Sequence, residues 1–560
     1  MAPDKILLRR MMLALVVVIA IVYWRAPFSE FLNYDDNIYV TNNLHVANGL
    51  TFEGIIWSFT STEYSAWTPV TWLSLALDGS IYGLQPGGFH LTNLLLHAAN
   101  AALLLLLIHA LTRSPSSAFF VALIWCIHPL NVEPVMWISE RKGLLSSFFG
   151  LLALLQWTRY KQFDDKTAFR RTHWLLALSL LAKPMLITLP ALLILLDHWP
   201  FQQLNRQSLK RLIMEKRGIL TLCVIAAGMA YYSQNASGAV KPSAMFPADQ
   251  QITTAIGGYF NYFAKTCIPL PISQYSIFYP IPITPDFSRS IAGLAVLQGL
   301  LIVCYKCRTS KPAITVGLLW FLCMLIPVIA TVKIGIQGPA DRYMYFPMIG
   351  ILIAAWHTFS PLISKWKHPQ FWYAGGLTMV VLAQAATTIS YTPMWQKSVT
   401  LFSHTLAHTR ETPLTLNQLG LAYSREGDKA TALPFFQRAI DYRELGIALA
   451  DGLSEQGNTK RAIRRYLDVL RFQPDFARAH NNVAIAYAKE GQSRRAEYHW
   501  AEAINHGSAY LEAYENLANS FRQQGFIQQS DTVIQKAIAA AEASGKTNAI
   551  ARLNTLLSQQ

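Results

Sequence analysis

The chain has 560 residues, of which 52% are hydrophobic, and a formal net charge of +15 at pH 7. That length is too great for one ordinary domain, and apolar runs in the first 390 residues are long enough to cross a bilayer, which excludes an entirely water-soluble protein. The excess positive charge is typical of cytoplasmic loops. The polar C-terminal part has no basic patch interleaved with aromatic residues, so nucleic-acid binding is not expected.

The first apolar segment covers residues 6–24 and follows a basic N-terminus. Tyr23-Trp24-Arg25 is not a small-residue cleavage site, so we predict an uncleaved first helix rather than a signal peptide. The basic flank places the N-terminus in the cytoplasm. Residues 25–90 then form a long external loop with many aromatic residues, a composition typical of the headgroup level of a membrane.

Two adjacent carboxylates, Asp35 and Asp36, follow the first helix directly. Such a pair can serve as a general base, a metal anchor or an electrostatic clamp for an acceptor. If the segment is extended, neighbouring side chains point in opposite directions and only one reaches a given substrate. The alternative is a polar cap where the helix leaves the membrane.

The spans that follow are predicted from apolar runs and from basic loops between them. Residues 173–199 have basic flanks on both sides and are interrupted at Lys183-Pro184, so we predict a hairpin of two short helices with Lys183 at its tip. Counting that hairpin as two gives about eleven crossings and an external C-terminal region. The other spans are 91–111, 117–136, 144–158, 218–233, 289–305, 313–332, 343–359 and 370–390.

Several ionisable residues fall on the external side of this topology. Ionisable groups beside spans are costly, so a collection of them on one side indicates a polar cavity. Carboxylates with lysines and arginines suit removal of a proton from an acceptor hydroxyl while cations stabilise a phosphate leaving group. The alternative is that each is an ordinary loop residue or ion pair. Besides the two aspartates, the candidates are Glu133, Glu140, Arg141, Lys142, Lys183 and Arg342.

Metal ligation is not predicted from the histidines and cysteines. His97 lies on an apolar helix with Asn93 and Asn100, a pattern typical of a polar stripe between helices. Cys304 and Cys307 form a lone Cys-x-x-Cys without a second pair. No Gly-rich phosphate loop follows a strand, which argues against an ATP-driven enzyme.

The pattern changes after residue 390. We predict a linker over 391–412 and a tetratricopeptide-repeat domain over 413–560, with about four repeats plus a capping helix. The last three copies recur at about 34 residues, the period of this repeat. The first copy is about four residues short of that period, so we expect a deletion or bend near residues 441–445. Such arrays present a concave surface to proteins.

A series of motifs in chain order resembles one family. The motifs include Tyr34-Asp-Asp, Trp67-Thr-Pro-Val-Thr-Trp72, His90-Leu-Thr-Asn-Leu-Leu-Leu-His97, His128-Pro-Leu-Asn-Val-Glu133, Ser139-Glu-Arg-Lys142, Lys183-Pro-Met and Asp341-Arg-Tyr-Met-Tyr. Together they are similar to those of bacterial relatives of the transmembrane and tetratricopeptide-repeat O-mannosyltransferases, and the resemblance covers most of residues 33–350 and fits the trailing repeats.

The resemblance implies an all-α fold: a GT-C-like membrane helical bundle over residues 1–390 followed by a repeat α-solenoid. It implies a glycosyltransferase whose donor is a sugar on a polyprenyl phosphate. The catalytic carboxylate of that class lies in the first external loop, which favours Asp36 with Asp35 second. Roles in holding the donor phosphate and in a second acidic motif are implied for further residues: Arg342, Lys183, Arg141 and Lys142 for the phosphate, and Glu133 and Glu140 for the acidic motif.

One position departs from the family pattern. Gly143 follows Lys142 where relatives are expected to carry an acid, so a role that needs an acid there is in doubt for this chain. The resemblance also implies a multi-pass protein of the cell inner membrane with a periplasmic repeat domain that binds a protein acceptor.

Whether a divalent cation (Mg²⁺ or Mn²⁺) takes part is left open by the sequence. The rival functions are a non-catalytic membrane scaffold that recruits partners through its repeats, and a ligase or transporter of lipid-linked glycans.

Overall fold

The structure is a computed structural model that describes residues 2–62, 67–205, 207–236, 248–269, 287–329, 340–409 and 411–558. Every regular element within those ranges is helical, which confirms the all-α fold class. The chain divides into two compact units, the first ending at Arg410 and the second running over Glu411–Gln560.

Eighteen α-helices belong to the described part of the first unit. They are α1 (Ala2–Val22), α2 (Leu44–Ala47), α3 (Phe52–Thr60), α4 (Pro69–Tyr82), α5 (Pro86–Thr112), α6 (Pro115–Cys126), α7 (Val132–Met136), α8 (Arg141–Phe163), α9 (Lys166–Ala182), α10 (Leu189–His198), α11 (Leu209–Glu215), α12 (Arg217–Ala236), α13 (Ala248–Cys267), α14 (Phe287–Cys307), α15 (Pro312–Leu325), α16 (Met348–Ile363), α17 (Pro369–Tyr391) and α18 (Ser398–His408).

Three of the described helical segments are long and apolar enough to cross a membrane: Asp4–Phe28, Pro86–Thr112 and Phe287–Cys307. A pair bent by 59°, Pro115–Cys126 with Pro129–Met136, makes a fourth if it is one span. The count of about eleven crossings therefore stays a prediction. The end of the predicted span 313–332 lies outside the described residues.

The first loop, residues 25–90, is folded rather than open. It contains α2, α3 and α4, and its aromatic residues form a small core that the sequence analysis had placed at the headgroup level. Trp72 and Phe89 are fully buried there against Val40 and Ile138. The burial of this apolar surface stabilises the loop by the hydrophobic effect, at roughly 1.5–3 kcal/mol for each large side chain. The core fixes the segment that carries Asp35 and Asp36.

The break predicted at Lys183-Pro184 is present. Helix α9 ends at Ala182, a 3-10 turn covers Pro184–Thr188, and α10 begins at Leu189. Proline cannot supply the N–H that would continue α9, so the helix ends and the backbone turns at Lys183. This turn directs the Lys183 side chain towards the N-terminal end of α8.

The segment predicted as a linker, 391–412, contains α18 and contacts the first loop. The backbone N–H of Glu30 donates to the carbonyl of Gln396 at 2.9 Å, and the N–H of Asn33 donates to Ser398 Oγ at 2.9 Å. Residues that follow the last helix of the bundle thus hold the chain just before Asp35.

Eight helices form the described part of the second unit and pack as successive hairpins. Five of the seven turns between them have a glycine at positive φ, for example Gly491 at 71° and Gly525 at 83°, which lets the chain reverse without side-chain strain. The helices are α19 (Pro413–Arg425), α20 (Lys429–Glu455), α21 (Thr459–Phe472), α22 (Ala477–Lys489), α23 (Ser493–His506), α24 (Leu511–Gln523), α25 (Ile527–Ala543) and α26 (Thr547–Ser558).

The irregularity expected near residues 441–445 takes a different form from a bend. Helix α20 is continuous over its 27 residues, so the second helix of the first repeat runs directly into the first helix of the next. The first repeat is shorter by about one helical turn, and the missing residues are those that would form the turn between the two helices. The last helix, α26, buries Leu553 against α24 and α25.

Candidate active site

Asp36 is held by hydrogen bonds from two separate segments. It directly precedes the turn Asn37–Thr41, and its Oδ2 accepts from the N–H of Leu32 at 3.0 Å. Its Oδ1 accepts from the N–H of Ser139 at 3.0 Å and from Ser139 Oγ at 2.6 Å. Burial raises the pKa of Asp36 to about 6, although the hydrogen bonds from Ser139 and Leu32 lower it. The carboxylate therefore ties the first loop to the turn before α8.

Asp35 has different surroundings from its neighbour. Its carboxylate is half-buried and has no hydrogen bond or salt bridge in the described part of the chain, but Lys142, Arg342 and Glu140 lie close enough to influence it. Burial raises the pKa of Asp35, and the two cations oppose that shift. A buried carboxylate beside cations and without a fixed partner can accept a proton from a bound hydroxyl.

The expectation of an extended segment was wrong. The N–H groups of Ile38 and Tyr39 both donate to the carbonyl of Asp35, at 2.9 and 2.8 Å, so the chain turns helically at this point. The helical turn still sends the two carboxylates to different environments, because successive side chains on a helix lie about 100° apart.

Glu140 is at the centre of a buried charge cluster. Its carboxylate accepts from Lys183 Nζ at 2.8 and 3.2 Å and lies 3.3 Å from Arg342 Nε and 3.9 Å from Lys142 Nζ. Burial alone would raise the pKa of Glu140, but Lys183, Lys142 and Arg342 lower it below its usual value. Glu140 is thus charged and positions three cations around one point.

Arg342 is shared between two carboxylates. Its backbone N–H donates to Glu133 Oε2 at 2.9 Å, and its Nη1 donates to Glu133 Oε1 at 2.5 Å, while Nε faces Glu140. The guanidinium also lies over the rings of Tyr343 and Trp137, at 5.0 and 5.5 Å from their centroids. The planar guanidinium binds both carboxylates at once in a fixed geometry.

Lys142 connects this cluster to the first loop. Its Nζ donates to the hydroxyl of Tyr39 at 3.2 Å and lies 4.6 Å from the centroid of that ring. Its contact with Glu140, at 3.9 Å, is long for a salt bridge. Among the three cations around Glu140, Lys142 therefore has the weakest link to a carboxylate.

Gly143 fits this cluster because it has no side chain. A Cβ at this position would lie 2.9 Å from Glu140 Oε2 and 3.9 Å from Lys183 Nζ. Any larger residue would have to displace the Glu140 carboxylate from its present position. The departure from the family pattern at this position is therefore matched to the close approach of Glu140 and Lys183.

Arg141 does not belong to this cluster, contrary to its predicted place among the donor-phosphate residues. It is fully buried and donates to Asp78 at 2.7 Å, to the carbonyl of Phe89 at 2.8 Å, to Ser74 at 3.1 Å and to Asn93. These contacts join α8 to α4 and α5. With its guanidinium occupied by α4 and α5, Arg141 has a structural position, and the candidate site does not include it.

Two buried histidines of the first unit, His97 and His128, make hydrogen bonds to neighbouring groups of the protein. His97 contacts the Tyr345 hydroxyl at 2.8 Å and the Cys126 carbonyl at 2.9 Å. His128 accepts from the N–H of Leu130 at 3.2 Å. The pattern agrees with a polar stripe between helices.

A divalent cation fits the candidate active site poorly. Lysines and an arginine already supply positive charge at Glu140, and Asp36 accepts hydrogen bonds from three donors of the protein. Three potential metal ligands lie close together in the second unit, where donor atoms of His480, Glu502 and His506 are within 4.8 Å of one another. Two imidazoles with one carboxylate suit a transition metal better than Mg²⁺. The sequence analysis missed this group, although Glu502 and His506 have the spacing of one helical turn.

Ser139 and Tyr39 were also missed as site residues. Ser139 orients Asp36, and Tyr39 orients Lys142. Both lie in or beside motifs that carry the family resemblance. Their hydroxyl groups, close in sequence to candidate site residues, were the signal from which the sequence could have predicted them.

No family model matches the chain. Curated proteins do match over most of its length. Human protein O-mannosyl-transferase TMTC3 is 24% identical over 526 residues, which cover 84% of this chain and 52% of the relative. Tmtc3 of Drosophila melanogaster is 23% identical and covers 68% of this chain and 48% of the relative, and human TMTC4 is 22% identical and covers 75% and 64%. The chain is a distant relative of the TMTC protein O-mannosyl-transferases. It spans about half the length of the TMTC3 relatives.

Solved structures are similar only at low scores. ArnT from Cupriavidus metallidurans, bound to undecaprenyl phosphate, is 12% identical with a TM-score of 0.36, covering 91% of this chain and 80% of that chain. MamA is 18% identical with a TM-score of 0.18 and covers 26% of this chain and 89% of its own. The relationship to TMTC proteins therefore comes from sequence.

Proposed function

We propose that the protein is a membrane glycosyltransferase that moves a sugar from a polyprenyl-phosphate donor to a hydroxyl group of a protein on the external side of the membrane. The observation that carries this proposal is the position of Asp35, a carboxylate that has no hydrogen bond or salt bridge to the described residues and lies near Lys142 and Arg342. A carboxylate next to clustered cations serves a reaction in which a hydroxyl loses a proton while a phosphate leaves. The distant TMTC relatives, named as protein O-mannosyl-transferases, support the same reaction class.

In the proposed reaction the acceptor hydroxyl donates its proton to Asp35. The acceptor oxygen forms a bond to the anomeric carbon of the sugar, and the bond from that carbon to the phosphate oxygen breaks. The polyprenyl phosphate leaves with the bonding electrons and is stabilised by Lys142, with Arg342 and Lys183 beside it. A single displacement of this kind inverts the configuration of the sugar.

Asp36, favoured by the sequence analysis as the base, is better suited to positioning. Its oxygens already accept hydrogen bonds from three donors, which fix the orientation of the carboxylate and favour its charged form. Asp36 holds the turn on which Asp35 sits, and loss of Asp36 is expected to displace its neighbour. We therefore assign the base role to Asp35.

A buried group of charges without a catalytic task would be costly for the rival scaffold function. Ionised side chains lose several kcal/mol of hydration on burial, and replacement of such a cluster by apolar residues is often neutral or stabilising. Glu133, Glu140 and Arg342 are all buried in this protein. This cost favours the enzyme. The repeat unit is then proposed to present the protein acceptor, and the membrane is proposed to be the inner membrane with the repeats in the periplasm.

The proposal is tested on the external glycoproteins of cells that carry the chain. Cells with the unaltered chain are compared with cells carrying Asp35→Asn at equal membrane abundance. The matched control is Asp164→Asn, which removes a well-exposed carboxylate at the other end of α8. Loss of a defined glycan in Asp35→Asn alone supports the transferase and identifies sugar and acceptor. An unchanged glycoprotein profile in Asp35→Asn would refute it.

A further inference from the structure

A polar cavity lies at the far end of α8. It has a volume of about 830 Å³ and is formed by the end of α8, the start of α9, and helices α11 and α12. Helix α8 begins at Arg141 and ends at Phe163, so at 1.5 Å per residue the cavity is separated from the candidate active site by about 33 Å. That distance is close to the thickness of the hydrocarbon layer of a membrane.

Lys161 and Glu215 line the floor of the cavity and belong to a balanced charge network. Lys161 lies 3.1 Å from Glu215 and 3.3 Å from Asp197, a buried carboxylate behind the lining that lies 2.5 Å from Lys216. The hydroxyl of Tyr160 donates to Glu215 at 2.7 Å. Two lysines thus face two carboxylates, and the floor as a whole carries no net charge.

The rim of the cavity carries an excess of positive charge. Asp164 lines the cavity but is paired with Lys166 at 2.7 Å. Arg211 and Arg217 also line it and are exposed, and their guanidinium groups have no hydrogen bond or salt bridge among the described residues. Two arginines on one opening suit an anionic group, and a guanidinium binds phosphate oxygens in a forked geometry.

The surroundings of the cavity are apolar. Phe163 is 70% exposed, Trp174 is 76% exposed, and Met214 is 51% exposed, all on the helices that form the opening. Exposed tryptophan and aliphatic side chains beside basic residues are typical of the boundary between a membrane and water. A ligand in this cavity would therefore meet both the arginines and the acyl chains of the bilayer.

We propose that this cavity binds the phosphate of an anionic lipid headgroup, on the membrane face opposite the candidate active site. The arginines bind the phosphate oxygens, the wall with Phe169 and Tyr160 contacts the glycerol and upper acyl groups, and the balanced floor sets the depth of entry. Basic pockets between helices on the cytoplasmic side bind lipid headgroups in this manner. The basic loops on both sides of the cavity place it on that side. The site is independent of the proposed transferase chemistry.

The test uses the full chain, purified in detergent and mixed with phosphatidylglycerol or phosphatidylcholine, with bound lipid counted by native mass spectrometry. The double variant Arg211→Gln with Arg217→Gln removes the rim charges. The matched control, Arg170→Gln with Arg171→Gln, removes two exposed arginines of α9 that do not line the cavity. We expect the affinity for phosphatidylglycerol to fall about 10- to 30-fold in the rim variant and less than about 3-fold in the control.

The outcomes separate the sources of the phosphate. Equal loss in both double variants would mean general surface attraction and would overturn the site, as would equal retention of phosphatidylcholine and phosphatidylglycerol by the unaltered chain. A second arm adds inorganic phosphate to the phosphatidylglycerol complex. Displacement of the lipid by phosphate alone would overturn the lipid assignment and indicate a soluble ligand. Retention of the lipid in that arm, with loss only in the rim variant, supports the proposal.

Discussion

The hydroxyl and the backbone N–H of Ser139 both donate to the same oxygen of Asp36, although the two residues are 103 positions apart in the chain. The first loop is thereby fastened to the turn that carries Glu140. The catalytic candidates of the loop and the cations around Glu140 are held in one place because of this contact.

Ser139→Ala is expected to weaken this connection without removing it. The variant loses the hydroxyl donor and keeps the N–H donor, so the free energy of unfolding should fall by about 1.5–3 kcal/mol, the value for a hydrogen bond to a charged group. Transferase activity should fall as Asp35 becomes less well placed. Thermal unfolding and a transfer assay check this. Ser544→Ala, at an exposed helix end, is the control and should behave as wild type. Unchanged stability in Ser139→Ala would contradict the account.

Asp36 is expected to make stability depend on pH. Because burial raises its pKa to about 6, the folded state binds the proton more tightly than the unfolded chain. The free energy of unfolding contributed by Asp36 should therefore fall as the pH rises from about 4 to about 6, by roughly 3 kcal/mol. Asp36→Asn lacks this decrease. The measurement is the difference between the two unfolding curves across that range. Parallel curves throughout would show that the raised pKa is wrong.

Gly143→Ala should disturb the charge cluster by a steric route. The new methyl group would lie 2.9 Å from Glu140 Oε2, so the carboxylate must move away from Lys183 or the helix must shift. We expect a loss of roughly 1–3 kcal/mol in stability and a clear loss of activity. Gly228→Ala on α12 is the control, because nothing lies within 4 Å of the Cβ that the substitution adds. If both variants keep full activity, the close packing at Gly143 does not contribute to function.

Arg141 and Lys142 are adjacent but should respond differently to substitution. Arg141→Lys keeps a positive charge near Asp78 but cannot replace all the hydrogen bonds to Asp78, Phe89, Ser74 and Asn93, so it should destabilise the fold by about 1–3 kcal/mol. Lys142→Gln should leave the fold nearly intact and raise the KM for the polyprenyl-phosphate donor. Unfolding and steady-state kinetics on both variants separate these effects. A stable Arg141→Lys with an altered KM would return Arg141 to the donor site.

The general architecture could be predicted from the sequence because apolar runs and the repeat period are local signals. The break at Lys183 was predictable, since proline removes a helical N–H whatever its surroundings. The turn missing near residues 441–445 was visible as a shortened period, but a continuous α20 could not be told from a bend. The core around Trp72 was missed, because exposed and buried aromatic residues look alike in a loop.

The candidate site could be predicted only as a set of residues on one side. Glu140, Lys183 and Arg342 do come together, as their shared external position suggested. The sequence could not distinguish Asp35 from Asp36 or Arg141 from Lys142, because neighbours on a helical turn point in different directions and only tertiary contacts decide which one faces the site. Those contacts come from Ser139 and Asp78, which lie far away in the chain.

The central claim is that Asp35 takes the proton of the acceptor while Asp36 holds it in place. The most direct measurement is transfer of labelled sugar from a polyprenyl-phosphate donor to external proteins by purified Asp35→Asn, Asp36→Asn and Asp164→Asn. The account predicts that Asp35→Asn loses at least about 100-fold in rate with its thermal unfolding unchanged, that Asp36→Asn loses stability together with part of its rate, and that Asp164→Asn is unaffected. A folded Asp35→Asn protein that transfers sugar at the wild-type rate would contradict it.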